Sequence, residues 1–245
     1  MAPKIGTWNV QRPRPGGTLN PRRIDKIREV GADIWVLTET RDVIHWDDSF
    51  HSLSTFPIPN YHGQGETLVT IWSRWPMRPV SVSRFTVCAE IVEPKLSPLL
   101  IYGTVIPWDK DEGFCANVKP GRWEEHRRQV KVQANEWEVL ARSYPQHRMC
   151  IAGDFNQHRG SVGAYRDPES VDRVSKALAS SAMTCLTQDR PEVEGLSKPL
   201  VDHICISDRL VSAATIRVYP YDEIPSAKLS DHHMVVASFE LEGRP

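Results

Sequence analysis

Met149-Cys150-Ile151-Ala152-Gly153-Asp154-Phe155-Asn156 is the stretch from which the rest of the chain can be read. Its first four residues form a short apolar run of the kind that makes a buried strand. Gly153 lets the backbone turn sharply where that run ends. Asp154 and Asn156 follow two residues apart, and in an extended chain such residues point to the same side. An ionised carboxylate only accepts hydrogen bonds, whereas a carboxamide also donates them. The pair is therefore suited to holding a water with one arm and a phosphate oxygen with the other. Gly-Asp-x-Asn is equally ordinary turn chemistry, since Asp and Asn bond their own backbone. The choice depends on whether other polar residues arrive at strand ends in the same way.

Working outward, they do. Residues 4–10 read as a strand that closes on Asn9, and the loop 11–17 after it carries Arg12 and Arg14. Asn20 reads as a helix N-cap with Pro21 in the first turn. Ile24, Ile27 and Val30 follow at helical spacing, and Gly31 ends the helix. Residues 34–38 form the next apolar strand, with Glu39 at its end. Residues 41–66 show no assignable pattern.

Strands are expected at 68–72, 80–92 and 99–106, followed by a loop over 107–120. The longest helix is expected over 121–144, with Val130, Ala134, Trp137 and Ala141 on one stripe. Asp167-Pro168 opens another helix, with Val171, Val174 and Leu178 facing the core. The tail reads as strands near 184–186, 200–206, 214–219 and 233–240. Strands joined largely by loops, with a few amphipathic helices, suggest packed sheets with helices outside.

Two further polar groups interrupt this pattern. Asp202 breaks the strand-like run Leu200-Val201-Asp202-His203-Ile204-Cys205-Ile206, where an unpaired buried charge is costly. Ser230-Asp231-His232-His233 leads into the last strand, and His232 is a suitable partner for Asp202. A carboxylate on one imidazole nitrogen fixes the tautomer and leaves the other nitrogen for a substrate.

The composition fits one globular domain over 1–245, with 40% hydrophobic and 25% charged residues. No signal-peptide-like or membrane-spanning stretch is evident. The five cysteines are scattered and lack Cys-x-x-Cys spacing, which argues for reduced thiols and a cytoplasmic protein. A net charge of −1 provides no global basic field. Residues 1–30 are locally basic, however, with Lys4, Arg12, Arg14, Arg22, Arg23, Lys26 and Arg28 against Asp25 and Glu29.

Taken together and in order, Thr7-Trp8-Asn9, Leu37-Thr38-Glu39-Thr40, Ile71-Trp72-Ser73-Arg74-Trp75-Pro76, Gly153-Asp154-Phe155-Asn156, Val201-Asp202-His203-Ile204 and Ser230-Asp231-His232 resemble the endonuclease/exonuclease/phosphatase superfamily, the deoxyribonuclease I-like fold. The resemblance spans nearly the whole chain. It implies an α+β fold in four layers, α/β/β/α: two packed mixed sheets in a sandwich, with helices on both outer faces. It also implies divalent-metal-dependent hydrolysis of phosphate esters at the strand ends.

By that resemblance Glu39 is the principal metal ligand, with Asn9 beside it and Asp231 close to the metal. Asp154 orients or deprotonates the attacking water, and Asn156 neighbours the phosphate. His232 meets the scissile phosphate, and Asp202 orients it. Hard oxygen ligands suit Mg²⁺, or Mn²⁺.

One position departs from the family, which usually places His or Tyr where Val105 stands. Trp108, His126 and Arg127 are the nearby residues able to substitute, and with Arg12 and Arg14 they make up the candidate substrate-binding set. Nucleic acid is the expected substrate, since those arginines can reach phosphates and Trp72, Trp75, Trp108 and Trp123 offer stacking faces. A monomer is expected. The alternatives are a phosphatase or phosphodiesterase of a small phosphorylated metabolite or inositol phosphate, or a non-catalytic nucleic-acid-binding module. A zinc hydrolase is disfavoured: adjacent His232 and His233 face opposite ways in a strand, and no zinc motif is present.

Overall fold

The computed structural model describes residues 2–93, 95, 97–113, 120–160, 165–222 and 228–241. Cys115 and the middle of the loop expected over 107–120 lie outside them. Two six-stranded sheets face each other. In chain order, the first contains β1 (Lys4–Asn9), β2 (Ile34–Arg41), β3 (His51–Ser54), β4 (Glu66–Ser73), β11 (Thr215–Tyr219) and β12 (Met234–Ser238). The second contains β5 (Met77–Val82), β6 (Thr86–Ile91), β7 (Leu99–Val105), β8 (Arg148–Asp154), β9 (Met183–Cys185) and β10 (Asp202–Ser207). Their spatial orders are β11-β12-β1-β2-β4-β3 and β5-β6-β7-β8-β10-β9.

Each sheet has one parallel pair near its middle, β1 with β2 and β7 with β8. Parallel neighbours need a crossover, and a helix supplies it in both cases. Helix α1 (Asn20–Val30) joins the first pair and α2 (Glu124–Ser143) the second. Ile27 and Val30 of α1 pack on Trp8, Trp35 and Leu37, whereas Val130, Trp137 and Leu140 of α2 pack on Tyr102 and Ile151. Helix α3 (Pro168–Ser180) joins α2 through Val174, Ala177 and Leu178. Between the sheets lies an aliphatic layer that includes Ile5, Val36, Val69, Ile71, Val87, Ile101, Ile204 and Val235. The four layers expected from the sequence are present.

Close packing fixes individual residues. Gly6 lies opposite Trp35 in the β1–β2 register, and a Cβ there would sit 2.4 Å from the indole. Gly31 caps α1 in the left-handed conformation, φ 62°, with its N–H bonded to the Ile27 carbonyl. Asp167 caps α3 by accepting from the Ser170 N–H.

Several expectations change in detail. Asn20 is the first helical residue and not the cap; its amide holds the Arg14 carbonyl at 2.8 Å, and its Oδ1 accepts from Arg23. The strand expected over 80–92 is a hairpin, β5 and β6, turning at Ser83 with Phe85 and Thr86 bonded to the Ser83 hydroxyl. The unassigned stretch 41–66 contains the edge strand β3. On α2 the inward stripe ends on buried Leu140, while Ala141 is partly exposed. Val171 on α3 is likewise partly exposed. Among the described residues no helix is long and apolar enough to cross a membrane.

Candidate active site

The polar strand-end residues meet at one end of the sandwich, where β1 approaches β8 and β10 and β12 approaches β10. Asp202 begins β10 directly opposite Asp154, which ends β8. Both carboxylates are buried, as is Asn9 at the end of β1. The Asn9 amide donates to Asp154 Oδ2 at 3.0 Å, and the Asn156 N–H donates to Asp154 Oδ1 at 2.8 Å. His232 Nδ1 donates to Asp202 Oδ2 at 2.6 Å and lies 3.9 Å from Asp154 Oδ2. Among the described residues, Asp202 Oδ1 is buried with no hydrogen-bond partner.

Electrostatics follow from that packing. Burial and the facing Asp202 push Asp154 up to about 7. Burial opposes charge on His232, but Asp202 and Asp154 outweigh it and raise the imidazole to about 10. The two aspartates and His232 can bring one ligand atom each within 4.8 Å of one another.

Ser230 locks this arrangement to β1. Its hydroxyl donates to the Asn9 carbonyl at 2.7 Å and accepts the His232 N–H at 3.1 Å. Asn156 is held by its amide, which donates to the Ile106 carbonyl at 2.9 Å. Gln11, Arg12, Glu39 and Asn156 all adopt left-handed backbone, with φ of 55°, 45°, 49° and 48°. Such strain persists only where its surroundings hold it in place, and it clusters at functional sites. At Glu39 it skips one position of the β2–β4 ladder, since Thr38 pairs with Val69 and Thr40 with Thr67.

The turn after Asn9 links the outer ligand candidates. The Gln11 N–H donates to Asn9 Oδ1 at 2.9 Å, and its side-chain amide donates to Asp231 Oδ1. Arg12 N–H donates to the Glu39 carbonyl at 2.7 Å, and its Nε lies 3.8 Å from the Glu39 carboxylate. Asn9, Glu39 and Asp231 are each tied to this turn, and their oxygens are of the kind a hard divalent cation takes. The orphaned Asp202 Oδ1 adds a buried acceptor to the same region.

The structure sorts the remaining candidates. Arg12 lies at the site and stacks on Tyr61, 4.2 Å from its ring centroid. Arg14 is exposed on the loop, and its carbonyl accepts from Gly17 and Asn20. Trp108 is exposed beside a cleft that Tyr61 also lines.

His126 and Arg127 are not brought to the carboxylates. His126 is fully buried on α2 with Nδ1 2.6 Å from the Pro107 carbonyl, a core contact under Trp123. Arg127 makes a two-pronged pair with Asp167, at 2.7 and 3.0 Å, that ties α2 to the α3 cap. Despite burial, the Arg127 and Ser170 hydrogen bonds hold Asp167 down at about 2. Val105 is absorbed into the apolar layer between the sheets.

Two residues at this end carry no sequence signal. Gln11 reads as an ordinary loop residue, yet it bridges Asn9 and Asp231. Tyr165 donates to Asp109 at 3.2 Å, and burial, with Asp109 and Asp154 nearby, raises its phenol.

This end of a two-sheet sandwich defines a class of protein. The chain belongs to the Endonuclease/Exonuclease/phosphatase family, whose pattern matches residues 6–232. Solved structures share the fold. The endonuclease domain of TRAS1, a telomere-specific non-LTR retrotransposon, has a TM-score of 0.65 and 14% identity, covering 98% of this chain and 99% of that one. An AP endonuclease from Archaeoglobus fulgidus has a TM-score of 0.65 and 16% identity, covering 97% and 99%. The 3′ phosphatase NExo from Neisseria, solved as a variant bound to product DNA hairpin, has a TM-score of 0.63 and 15% identity, covering 97% and 99%. No curated protein matches the chain in sequence.

Proposed function

We propose that this member of the family is a divalent-metal-dependent phosphodiesterase that cleaves nucleic acid by attack of water. The observation that carries the reading is the His232–Asp202 pair, hydrogen-bonded at 2.6 Å and facing Asp154. A phosphodiester is already anionic, so catalysis consists mainly of placing the water and neutralising developing charge.

Asp154 orients the water and takes its proton; its raised pKa of about 7 suits a base at neutral pH. His232, kept charged by Asp202, presents Nε2 to the scissile phosphate. Asn156, anchored on the Ile106 carbonyl, lines the same phosphate. Asn9, Glu39 and Asp231 would hold Mg²⁺ or Mn²⁺, which when bound polarises the phosphate and neutralises charge on the leaving oxygen. Arg12 and Arg14 lie on the loop that follows β1 and contact neighbouring phosphates.

The retrotransposon endonuclease, the AP endonuclease and the DNA-bound 3′ phosphatase of the same fold support nucleic acid as substrate. The apolar layer joining both sheets supports reading 1–245 as one domain. The test is a cleavage panel of single- and double-stranded DNA, RNA, an abasic duplex and an inositol phosphate, each with Mg²⁺, Mn²⁺ or chelator. Metal-dependent cut products from a nucleic acid support the reading. Turnover of the inositol phosphate alone would replace it with the small-substrate alternative.

A further inference from the structure

We propose that the cleft between Tyr61 and Trp108 is a nucleobase subsite that takes an unpaired base of the strand being cut. This rests on the nucleic-acid reading above and adds which strand form the site selects. Tyr61 and Trp108 stay 40% and 46% exposed. They line one cleft of about 890 Å³, together with Arg84, Lys110, Asp111 and Glu112. Two large rings that are partly exposed on a common wall mark a binding surface, and this volume lies within the range of ligand sites.

Two connections join the cleft to the catalytic end. Arg12 covers one face of Tyr61 at 4.2 Å while its Nε lies 3.8 Å from Glu39. Trp108 stands two residues after Ile106, whose carbonyl holds the Asn156 amide. Tyr61 itself sits in a tight turn, its N–H bonded to the Ile58 carbonyl at 3.2 Å. Trp108 therefore continues the backbone that positions Asn156, and Tyr61 is linked to Glu39 through the Arg12 side chain.

The wall chemistry selects the occupant. Aromatic faces stack a base of any kind. Arg12, Arg84 and Lys110 meet the flanking phosphates. Asp111 and Glu112 repel a bare anion but accept from base N–H and amino groups. The wall therefore suits a nucleotide, with its base on the rings and its phosphates on the cations. A base inside a duplex is already stacked and paired, and removing it costs free energy. The cleft accordingly favours a single strand or an overhang over continuous duplex.

The test uses the full chain in chelator, so that the strand stays intact. Single-stranded oligonucleotides carry the fluorescent base 2-aminopurine at successive positions. Wild type is expected to quench one register strongly, and Tyr61→Ala and Trp108→Ala are each expected to lose that quench and bind about ten-fold more weakly. Tyr61→Phe and Trp108→Phe, which keep a stacking face, are expected to restore both. The same probe paired within a blunt duplex should show no register of quenching. If wild type cleaves nucleic acid but the alanine variants bind and quench as wild type does, the subsite is wrong while the function stands. If wild type neither cleaves nor binds any nucleic acid, the functional reading falls and takes the subsite with it.

Discussion

Asp154 and Asp202 stand opposite each other in the β8–β10 ladder, so two buried carboxylates face one another across neighbouring strands. Only His232, 2.6 Å from one and 3.9 Å from the other, brings a positive charge between them among the described residues. Burial and this repulsion put Asp154 at about 7. In the metal-free protein its carboxyl is expected to titrate there, and not near the usual 3.8. A cation held beside it favours the ionised form, so adding Mg²⁺ at pH 7 should release protons. Carboxyl NMR and a proton-release titration check this. An Asp154 midpoint near 4 without metal, with no proton release, would contradict it.

His232 gains its charge from Asp202. In metal-free wild type the imidazole is expected to stay protonated until about pH 10. In Asp202→Asn the largest attraction is gone while Asp154 remains, and titration should move down toward the ordinary histidine range. The sign for stability follows. A raised folded pKa contributes stability that is complete below about 6.5, the unfolded value, and is lost as pH rises through about 10. Histidine NMR on the two proteins, with melting curves from pH 6 to 10, measures both effects. The wild type should lose its advantage over Asp202→Asn across that window.

Gly153 is required by geometry. Its φ is +142°, and a Cβ there would lie 2.0 Å from the Thr104 carbonyl oxygen on β7. Because that neighbour is backbone, Gly153→Ala must either shift β7 or break the strand end. The expected cost is more than about 2 kcal/mol, measured by urea unfolding. Wild-type stability in the variant would refute this description of the strand end.

Arg12 and Arg14 are assigned to phosphates flanking the cut. Replacing both with Gln should weaken nucleic-acid binding similarly for all sequences. It should also lower the slope of log K against log salt by about one for each phosphate no longer neutralised. Fluorescence anisotropy across a salt series measures the slope, and an unchanged slope would remove both residues from the interface.

Much of this fold is legible in the sequence because its central strands are apolar runs that end on a polar residue. Asn9, Glu39 and Asp154 stand out for that reason, and Asp202 because it is polar within such a run. The edge strand β3 is invisible there: His51-Ser52-Leu53-Ser54 is half exposed and has a single apolar residue. The β5–β6 turn gives no signal because Ser83-Arg84-Phe85 contains neither Gly nor Pro, and its reversal is made by the Ser83 hydroxyl. His126 and Arg127 look available for the site since both follow the loop after Val105. Only the packing of α2 shows one turned into the core and the other committed to Asp167. Gln11 bonds Asp231, 220 positions away, which no local pattern can announce.

The most direct test of the central claim is single-turnover cleavage of a labelled oligonucleotide by wild type, Asn156→Ala and His232→Ala, with and without Mg²⁺. Wild type should cleave only when metal is present. Each variant should keep the fold, His232→Ala with reduced stability, and cut slower by about 10²–10⁴. Wild-type rates in both variants, or cleavage indifferent to chelator, would contradict it.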